Sequence, residues 1–305
     1  MDVDISIVIV NWNTRQLLLD CLASVYGTLH EISFEVWVVD NASQDGSVQA
    51  VREVYPQVTI IENSRNLGFA AANNKALCQI KGQYALLLNS DTVLTQGAIE
   101  KIHAFMEKRP VAGMACGQLL NADGSKQNSI ANFPHLAPLL CNETILRLLF
   151  PRHYPSKRRA YTEPMAVDSC IGACLMVRKE AMDRVGLLDE RYFFFMEETD
   201  WALAMRQAGW QSYFVPEARI YHLQGQSAGH NFRARIMFYR ARYQYIRKWH
   251  PKTLPVWVAI IMLRLLANTL LNLAGTILTG GLVQECRGRL GLYLYLLFWH
   301  LRGCP

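Results

Sequence analysis

Short apolar runs alternate with amphipathic stretches over the first 110 residues. The runs have the length of buried strands, and the stretches between them place apolar residues at helical spacing. Predicted strands cover residues 5–10, 34–39, 58–62 and 84–89. Predicted helices cover residues 14–26, 45–55, 66–76 and 95–108. Because strands and helices alternate, the pattern predicts an α/β fold with a mostly parallel sheet flanked by helices.

The pattern is less regular between residues 111 and 222. Five prolines fall within residues 126–165, and they predict a long irregular excursion that serves as a lid or a membrane-facing flap. Further strands are predicted at residues 111–120, 171–178, 212–215 and 218–222. Further helices are predicted at residues 179–186 and 201–208.

The last part of the chain is helical and increasingly apolar. Residues 232–249 form a basic, aromatic helix, and residues 254–278 form an apolar stretch long enough to span a bilayer. Four polar residues recur along that stretch at every fourth position, namely Arg264, Asn268, Asn272 and Thr276. Because an arginine in mid-membrane is costly, the stripe favours a helix lying in the membrane interface over a single span or a soluble bundle.

A second apolar piece at residues 290–301 is too short to cross a membrane. The chain therefore divides into a predicted α/β domain, residues 1–225, and a predicted membrane-associated helical tail, residues 226–305.

Charge is low and unevenly distributed. Only 18% of the 305 residues are charged, and the net charge is +6. Seven lysines or arginines and no acidic residue lie between Arg233 and Lys252. We interpret this block as a contact with an anionic membrane surface rather than a solvated helix face, and nucleic acid is not a predicted partner. The eight cysteines lack CxxC spacing, which indicates a reduced, cytoplasmic compartment without a zinc site. The N-terminus has no secretory signal pattern.

Two carboxylates follow predicted strands, where ligands of parallel α/β sheets bind. Asp40 could accept from a ribose hydroxyl or a base N–H, or close a local turn with Ser43. Asp91 is a candidate ligand for Mg²⁺ or Mn²⁺ beside a diphosphate, with a helix cap as the alternative. No Walker A or GxGxxG sequence is present.

Other polar side chains add to this chemistry. His222 ends a predicted strand and could complete a Mn²⁺ site, although a lone histidine is more often structural. Glu197, Glu198 and Asp200 lie within four residues, and crowding of like charges suits a general base. Trp201 could offer a flat wall to a sugar.

These residues stand in an order that resembles the inverting glycosyltransferases of family 2, and the rhamnosyltransferase-like branch most of all. The matching segments span about residues 4–250: residues 7–13 (IVIVNWN), 38–43 (VVDNAS), 66–70 (NLGFA), 88–91 (LNSD), 172–178 (GACLMVR), 194–201 (FFMEETDW) and His222. The resemblance implies a GT-A fold, a nucleotide-diphosphate sugar donor and a divalent metal, Mg²⁺ or Mn²⁺.

The resemblance also implies roles for individual positions. The donor-binding residues would be Asn11, Asp40, Asn66, Gly68, Asn74, Asn89 and Asp91. Residues 89–91 stand where the family has its DxD-type motif, and since the first acid is asparagine here, metal binding would rest on Asp91 and His222. Glu198 would be the catalytic base, with Asp200 as the reserve, because this chain has Glu-Glu where the family usually has Glu-Asp. Gly172, Glu197 and Trp201 would lie on the acceptor side.

The implied reaction moves a sugar, with rhamnose as the branch-level expectation, to a hydroxyl of a glycan acceptor in cell-surface polysaccharide synthesis. A polyprenyl-diphosphate-linked acceptor would explain the tail and place the protein at the cytoplasmic face of the inner or plasma membrane. One alternative is a sugar-nucleotide nucleotidyltransferase, which the lack of a glycine-rich phosphate loop disfavours. The other is a non-catalytic membrane-bound scaffold, which only the Glu-Glu departure favours.

Overall fold

The computed structural model describes residues 3–141, 143–151, 154–155, 160–223, 232–280 and 282–303. The chain divides into two compact units, the first of residues 1–133 and 157–229 and the second of residues 134–156 and 230–305. The predicted domain boundary between residues 225 and 226 lies outside the described residues and stays a prediction.

The first unit is built around a mixed sheet. In chain order the strands are β1 (Ile5–Asn11), β2 (Phe34–Asp40), β3 (Thr59–Glu62), β4 (Tyr84–Asn89), β5 (Thr92–Leu94), β6 (Ala112–Leu120), β7 (Ile130–Ala131), β8 (Met165–Val167), β9 (Ser169–Cys170), β10 (Cys174–Arg178) and β11 (Gln211–His222). The main sheet has the order β3-β2-β1-β4-β10-β6-β11-β5, with β8 also paired to β11, and β7 pairs with β9 separately.

The predicted α/β class is confirmed, and the parallel arrangement holds from β3 to β4. Strand β10 then runs antiparallel between β4 and β6, so the later strands make the sheet mixed. Helices α1 (Arg15–Thr28), α2 (Ser47–Val54), α3 (Phe69–Leu77), α4 (Ala98–Glu107), α7 (Lys179–Val185) and α8 (Glu197–Gln207) belong to the same unit.

Alternate strand residues supply two apolar layers, one on each face of the sheet. Along β1, Ile7 and Ile9 join one layer and Val8 the other; along β4, Leu88 and Leu87 divide in the same way. Each fully buried side chain of this size stabilises the fold by about 1.5–3 kcal/mol. The central residues of these strands therefore pack in the core, whereas the last residue of each of β1, β2 and β4 is polar.

Two predicted boundaries are wrong in ways that affect the site. Helix α8 begins at Glu197 rather than at Trp201, so the acidic residues form its first turn. Strand β11 is continuous, with a register shift between Val215 and Arg219 where two separate strands were expected. The bulge lets one strand turn without breaking. The predicted excursion at residues 126–165 contains β7, two short helices and the start of β8 among its described residues.

The second unit is helical. It consists of α5 (Ala137–Leu140), α6 (Glu143–Leu149), α9 (Phe232–Trp249), α10 (Leu254–Leu278) and α11 (Gln284–Leu301), with a short 3-10 turn before α10. Its core contains Tyr243, Ile246, Trp257, Ile261, Leu265, Leu296 and Trp299. Residues 251–278 are the one helix of the described chain that is long and apolar enough to cross a membrane. From the polar stripe of α10, Arg264 donates to the carbonyl of Pro138 at 2.5 Å.

Candidate active site

A buried hydrogen-bond chain joins the carboxyl ends of three strands. Register places Asn11 opposite Asp40, and the Asn11 amide donates to Asp40 Oδ1 at 2.8 Å. The Thr14 hydroxyl donates to Asn11 Oδ1 at 2.7 Å and lies 2.8 Å from the Ser90 hydroxyl. Thr14 makes no side-chain cap on α1. These hydrogen bonds fix the relative positions of side chains from β1, β2 and the turn after β4.

Asp40 makes the local turn that the sequence allows. The Ser43 amide donates to Asp40 Oδ2 at 2.8 Å, so each carboxylate oxygen already accepts one hydrogen bond. Each oxygen retains capacity for a second donor. The turn therefore orients the carboxylate without exhausting it, and its contact with a nucleoside stays a prediction.

The loop before α3 is held against the segment that precedes α8. Asn66 Oδ1 accepts from the Gly68 amide at 2.9 Å, and the Asn41 side chain donates to the Gly68 carbonyl at 3.1 Å. Gly68 has φ +84°, and a Cβ there would lie 2.3 Å from the Phe193 carbonyl oxygen. The Phe69 amide donates to that same oxygen at 2.8 Å. Only glycine can occupy this position.

The side chain of Asn74 bonds to the loop after α7. Its amide donates to the Leu188 carbonyl at 2.8 Å and to Glu190 Oε1 at 3.0 Å, and its oxygen accepts from the Leu188 amide at 3.1 Å. These bonds use both amide hydrogens and one lone pair of the oxygen, so Asn74 connects α3 to the loop after α7, and its contact with a donor sugar stays a prediction.

Helix α8 presents two adjacent carboxylates after an unusual backbone turn. Phe195 and Met196 both have φ +73°, a left-handed conformation that is rare for such residues. Glu197 is 6% exposed, and Glu198 is partly buried. The Oε2 atoms of both are buried and have no hydrogen-bond partner within the described residues.

Burial changes the protonation of this pair. It raises the pKa of Glu198 to about 7. Burial, together with the charge of Glu198, raises the pKa of Glu197 well above its ordinary value. Glu198 therefore has the proton affinity that suits a general base near neutral pH.

Gly172 lies beside Glu198 at the start of β10. A Cβ on Gly172 would be 3.9 Å from Glu198 Cβ and Cγ, so Gly172 lies against the aliphatic part of the Glu198 side chain. The neighbouring Ala173 carbonyl accepts from the backbone N–H of Asn89 at 2.9 Å, which connects this segment to the end of β4.

Asp200 and Trp201, the other two candidates from α8, are both buried. The Asp200 carboxylate is 3% exposed and accepts from the Tyr192 hydroxyl at 3.1 Å, so it is less accessible than Glu198. Trp201 is 2% exposed within the core, and its indole N–H donates to the Gly186 carbonyl at 2.8 Å. The prediction that Trp201 forms an exposed wall for a sugar is therefore wrong.

Asp91 and His222 are brought together by the pairing of β5 with β11. His222 is opposite Thr92, and its Nε2 lies 3.4 Å from Asp91 Oδ1. Both side chains are buried. A carboxylate oxygen suits Mg²⁺ or Mn²⁺ and an imidazole nitrogen suits Mn²⁺ better than Mg²⁺, and such ions commonly complete their coordination with water and substrate phosphates. The pair fits a divalent ion on these terms, although the described residues contain no cluster of three such ligands.

Gln127 was missed by the sequence analysis. Its side-chain oxygen lies 2.9 Å from His222 Nδ1, and its amide donates to the His222 carbonyl at 2.5 Å. No motif marks it, because it lies in the stretch interpreted as irregular.

Comparison with known proteins adds independent findings. The sequence model of the family described as Glycosyl transferase family 2 matches residues 6–186. The chain is 30% identical over 209 residues to N-acetylglucosaminyl-diphospho-decaprenol L-rhamnosyltransferase of Mycobacterium tuberculosis, covering 64% of this chain and 68% of that protein.

Two solved structures show the same GT-A type fold. A crystal structure of GalNAc-T7 with UDP, GalNAc and Mn²⁺ aligns with TM-score 0.59 and 18% identity, over 81% of this chain and 48% of that one. The mannosyltransferase PcManGT from Pyrobaculum calidifontis, in complex with GDP-Man and Mn²⁺, aligns with TM-score 0.58 and 17% identity, over 96% and 84%. The family match favours a glycosyltransferase over both the nucleotidyltransferase and the non-catalytic scaffold considered from the sequence.

Proposed function

The chain belongs to glycosyl transferase family 2, and on that premise we propose that it is an inverting enzyme with a lipid-linked glycan acceptor. The donor is a nucleotide-diphosphate sugar, with rhamnose as the expected sugar. The observation that supports the proposal most is Glu198, whose buried Oε2 has no hydrogen-bond partner among the described residues and whose pKa is raised to about 7.

The proposed reaction is a single in-line displacement. Glu198 accepts the proton of the acceptor hydroxyl as that oxygen attacks the anomeric carbon from the face opposite the leaving diphosphate. The bond to the leaving oxygen breaks as the new bond forms, and the configuration inverts. Such a base contributes about 10²–10⁴-fold to the rate.

The remaining predicted residues hold the donor in this proposal. Asn11 and Asp40 bind the nucleoside, and the loop of Asn66 and Gly68 borders the sugar, with Asn89 beside it. Asp91 and His222 would hold Mg²⁺ or Mn²⁺, whose charge, when the ion is bound, offsets that of the diphosphate. Gly172 and Glu197 border the acceptor.

The acceptor assignment rests on a relative and on the second unit. The mycobacterial relative is named for an acceptor on diphospho-decaprenol. Of the exposed large hydrophobic side chains in the described chain, most lie in the second unit, and α9 carries the basic block. We therefore place the protein at the cytoplasmic membrane face as a peripheral or monotopic protein, with a single span as the alternative.

The test is transfer by the full-length protein in detergent. Labelled TDP-rhamnose, UDP-sugars and GDP-sugars are each supplied with N-acetylglucosaminyl-diphospho-polyprenol, with and without Mn²⁺. We expect one donor to give product with inverted anomeric configuration by NMR.

A paired variant locates the chemistry. Glu198→Gln keeps the shape of the side chain and removes its basicity, so we expect kcat to fall about 10²–10⁴-fold while donor binding is unchanged. Loss of donor affinity instead would show that Glu198 has a structural role. Release of pyrophosphate from a nucleoside triphosphate would favour the nucleotidyltransferase alternative.

A further inference from the structure

The side-chain amide of Gln127 contacts a single residue through two different groups. Its Nε2 donates to the His222 backbone carbonyl at 2.5 Å, and its Oε1 lies 2.9 Å from the His222 Nδ1. Only the amide nitrogen can donate to a carbonyl oxygen, so the backbone contact fixes which end of the amide faces the ring. The oxygen must therefore face Nδ1.

An amide oxygen only accepts hydrogen bonds, so Nδ1 of His222 must carry a hydrogen. In the neutral ring, the other nitrogen then has the free lone pair. That nitrogen, Nε2, faces Asp91 Oδ1 at 3.4 Å, and both side chains are buried. Two electron-rich atoms face each other across a gap that suits a cation.

Gln127 is itself held rigidly. Its backbone amide donates to the Leu119 carbonyl at 2.8 Å, and its own carbonyl accepts from the Gln118 side chain at 2.9 Å. Gln127 is 8% exposed. The contact with His222 is therefore set by the fold around β6 rather than by a freely rotating side chain.

We propose that Gln127 is a positioning residue that holds His222 in the Nδ1–H tautomer and directs its Nε2 lone pair at the divalent-ion position beside Asp91. The inference rests on the proposed function for the identity of the ion, but the tautomer itself requires no ion. Partners of this kind commonly change metal affinity by about 10- to 100-fold.

The first test reads the tautomer directly in metal-free, full-length protein. Histidines are labelled with ¹⁵N, and long-range proton–nitrogen spectra are recorded at a pH where the His222 ring is neutral. The His222→Asn variant identifies its signals among the eight histidines. We expect a pyrrole-like Nδ1 and a pyridine-like Nε2 in the wild type.

Three variants separate positioning from general destabilisation. Gln127→Ala removes the acceptor, and we expect the tautomer preference to be lost. Gln127→Glu keeps an acceptor oxygen for Nδ1–H, and we expect the preference to be retained. Asn73→Ala removes a buried amide of α3 whose side chain donates to the Phe69 carbonyl rather than to His222, and we expect the wild-type tautomer. An Nε2–H tautomer in the wild type, or the same spectrum in wild type and Gln127→Ala, would overturn the proposal.

The second test measures free Mn²⁺ by electron paramagnetic resonance in protein solutions containing TDP. We expect Gln127→Ala to bind Mn²⁺ about 10- to 100-fold more weakly and Asn73→Ala to bind it as the wild type does. Equal binding by wild type and Gln127→Ala would overturn the positioning role. If the wild type shows the Nδ1–H tautomer but neither binds Mn²⁺ nor transfers any sugar, the proposed function fails while the tautomer assignment stands.

Discussion

At the scale of single residues, Glu198 lowers the stability of the folded protein when its carboxyl ionises, and a role in proton transfer would explain its position. Its carboxylate is placed where ionisation is unfavourable, since burial raises its pKa to about 7 and Oε2 has no hydrogen-bond partner among the described residues. Packing alone would favour a neutral side chain of the same shape. The position is therefore better explained by proton transfer than by stability.

The cost of Glu198 predicts a pH-dependent gain in stability for Glu198→Gln. Because the folded pKa lies above the unfolded value of 4.5, the folded state holds the proton more tightly, and wild-type stability falls as pH rises from about 4.5 to about 7. The glutamine variant lacks this loss. We expect it to exceed the wild type in free energy of unfolding by on the order of 2 kcal/mol more at pH 8 than at pH 4.5.

Urea unfolding of both proteins at the two pH values measures this difference. If the difference in free energy of unfolding between the two proteins does not change with pH, burial does not disfavour the ionised form of Glu198.

Gly68 allows a second residue-scale prediction, with Gly97 as its matched control. Both have positive φ, but a Cβ on Gly97 meets no atom within 4 Å, whereas one on Gly68 meets the Phe193 carbonyl oxygen at 2.3 Å. We expect Gly97→Ala to cost about 1–2 kcal/mol from conformation alone. Gly68→Ala should cost at least about 2 kcal/mol more, because backbone must move. Thermal unfolding of the two variants measures these losses of stability. Equal losses would mean that the loop around Gly68 can shift to accommodate a Cβ at little cost.

The sequence could predict residue types at the site better than residue contacts. Asp40, Asp91 and Glu198 became candidates because a carboxylate after an apolar or aromatic run is visible in one segment of sequence. The bonds of Asn74 to the loop after α7 could not be predicted, because Leu188 lies 114 residues away along the chain. A long-range hydrogen bond leaves no trace in local spacing.

At the scale of elements, the start of α8 shows where local patterns stop being informative. Three acidic residues at a helix start are favourable beside the helix dipole, and α8 begins with them. The turn before it is set by Phe195 and Met196 in left-handed conformations, which no propensity predicts. Strands β1 to β4 were predicted to within about a residue, because buried parallel strands need continuous apolar runs.

Helix α10 supplies an element-scale prediction for membrane binding. Leu271 is 70% exposed on an apolar face, and its neighbour Asn272 belongs to the polar stripe. Leu271→Lys and Asn272→Lys make the same change of charge on different faces. We expect Leu271→Lys to weaken binding to phosphatidylserine-containing vesicles about 10-fold or more, because about 1.5–3 kcal/mol of apolar burial is lost.

Asn272→Lys should bind at least as well as the wild type, since added positive charge attracts anionic lipid. Vesicle co-sedimentation across lipid concentrations measures both variants. Equal weakening by the two substitutions would indicate charge disruption or misfolding rather than insertion of the apolar face.

At the scale of the whole molecule, the two units are interleaved along the chain. The catalytic unit stops at residue 133 and resumes at residue 157, and the intervening segment belongs to the helical unit with residues 230–305. The sequence predicted a simple division into an N-terminal and a C-terminal domain. Hydrophobic periodicity identifies helices but does not say which distant helices share a core.

This interleaving imposes an order of events during synthesis. The segment with α5 and α6 leaves the ribosome roughly 70 residues before the helices of its own unit begin to follow. At ordinary elongation rates that interval lasts roughly 4–15 s. Leu139, which packs against the core of the finished unit, spends that time without the helices that form this core. The apolar residues of the segment are therefore made before the helices that cover them, and they are exposed to water until those helices follow.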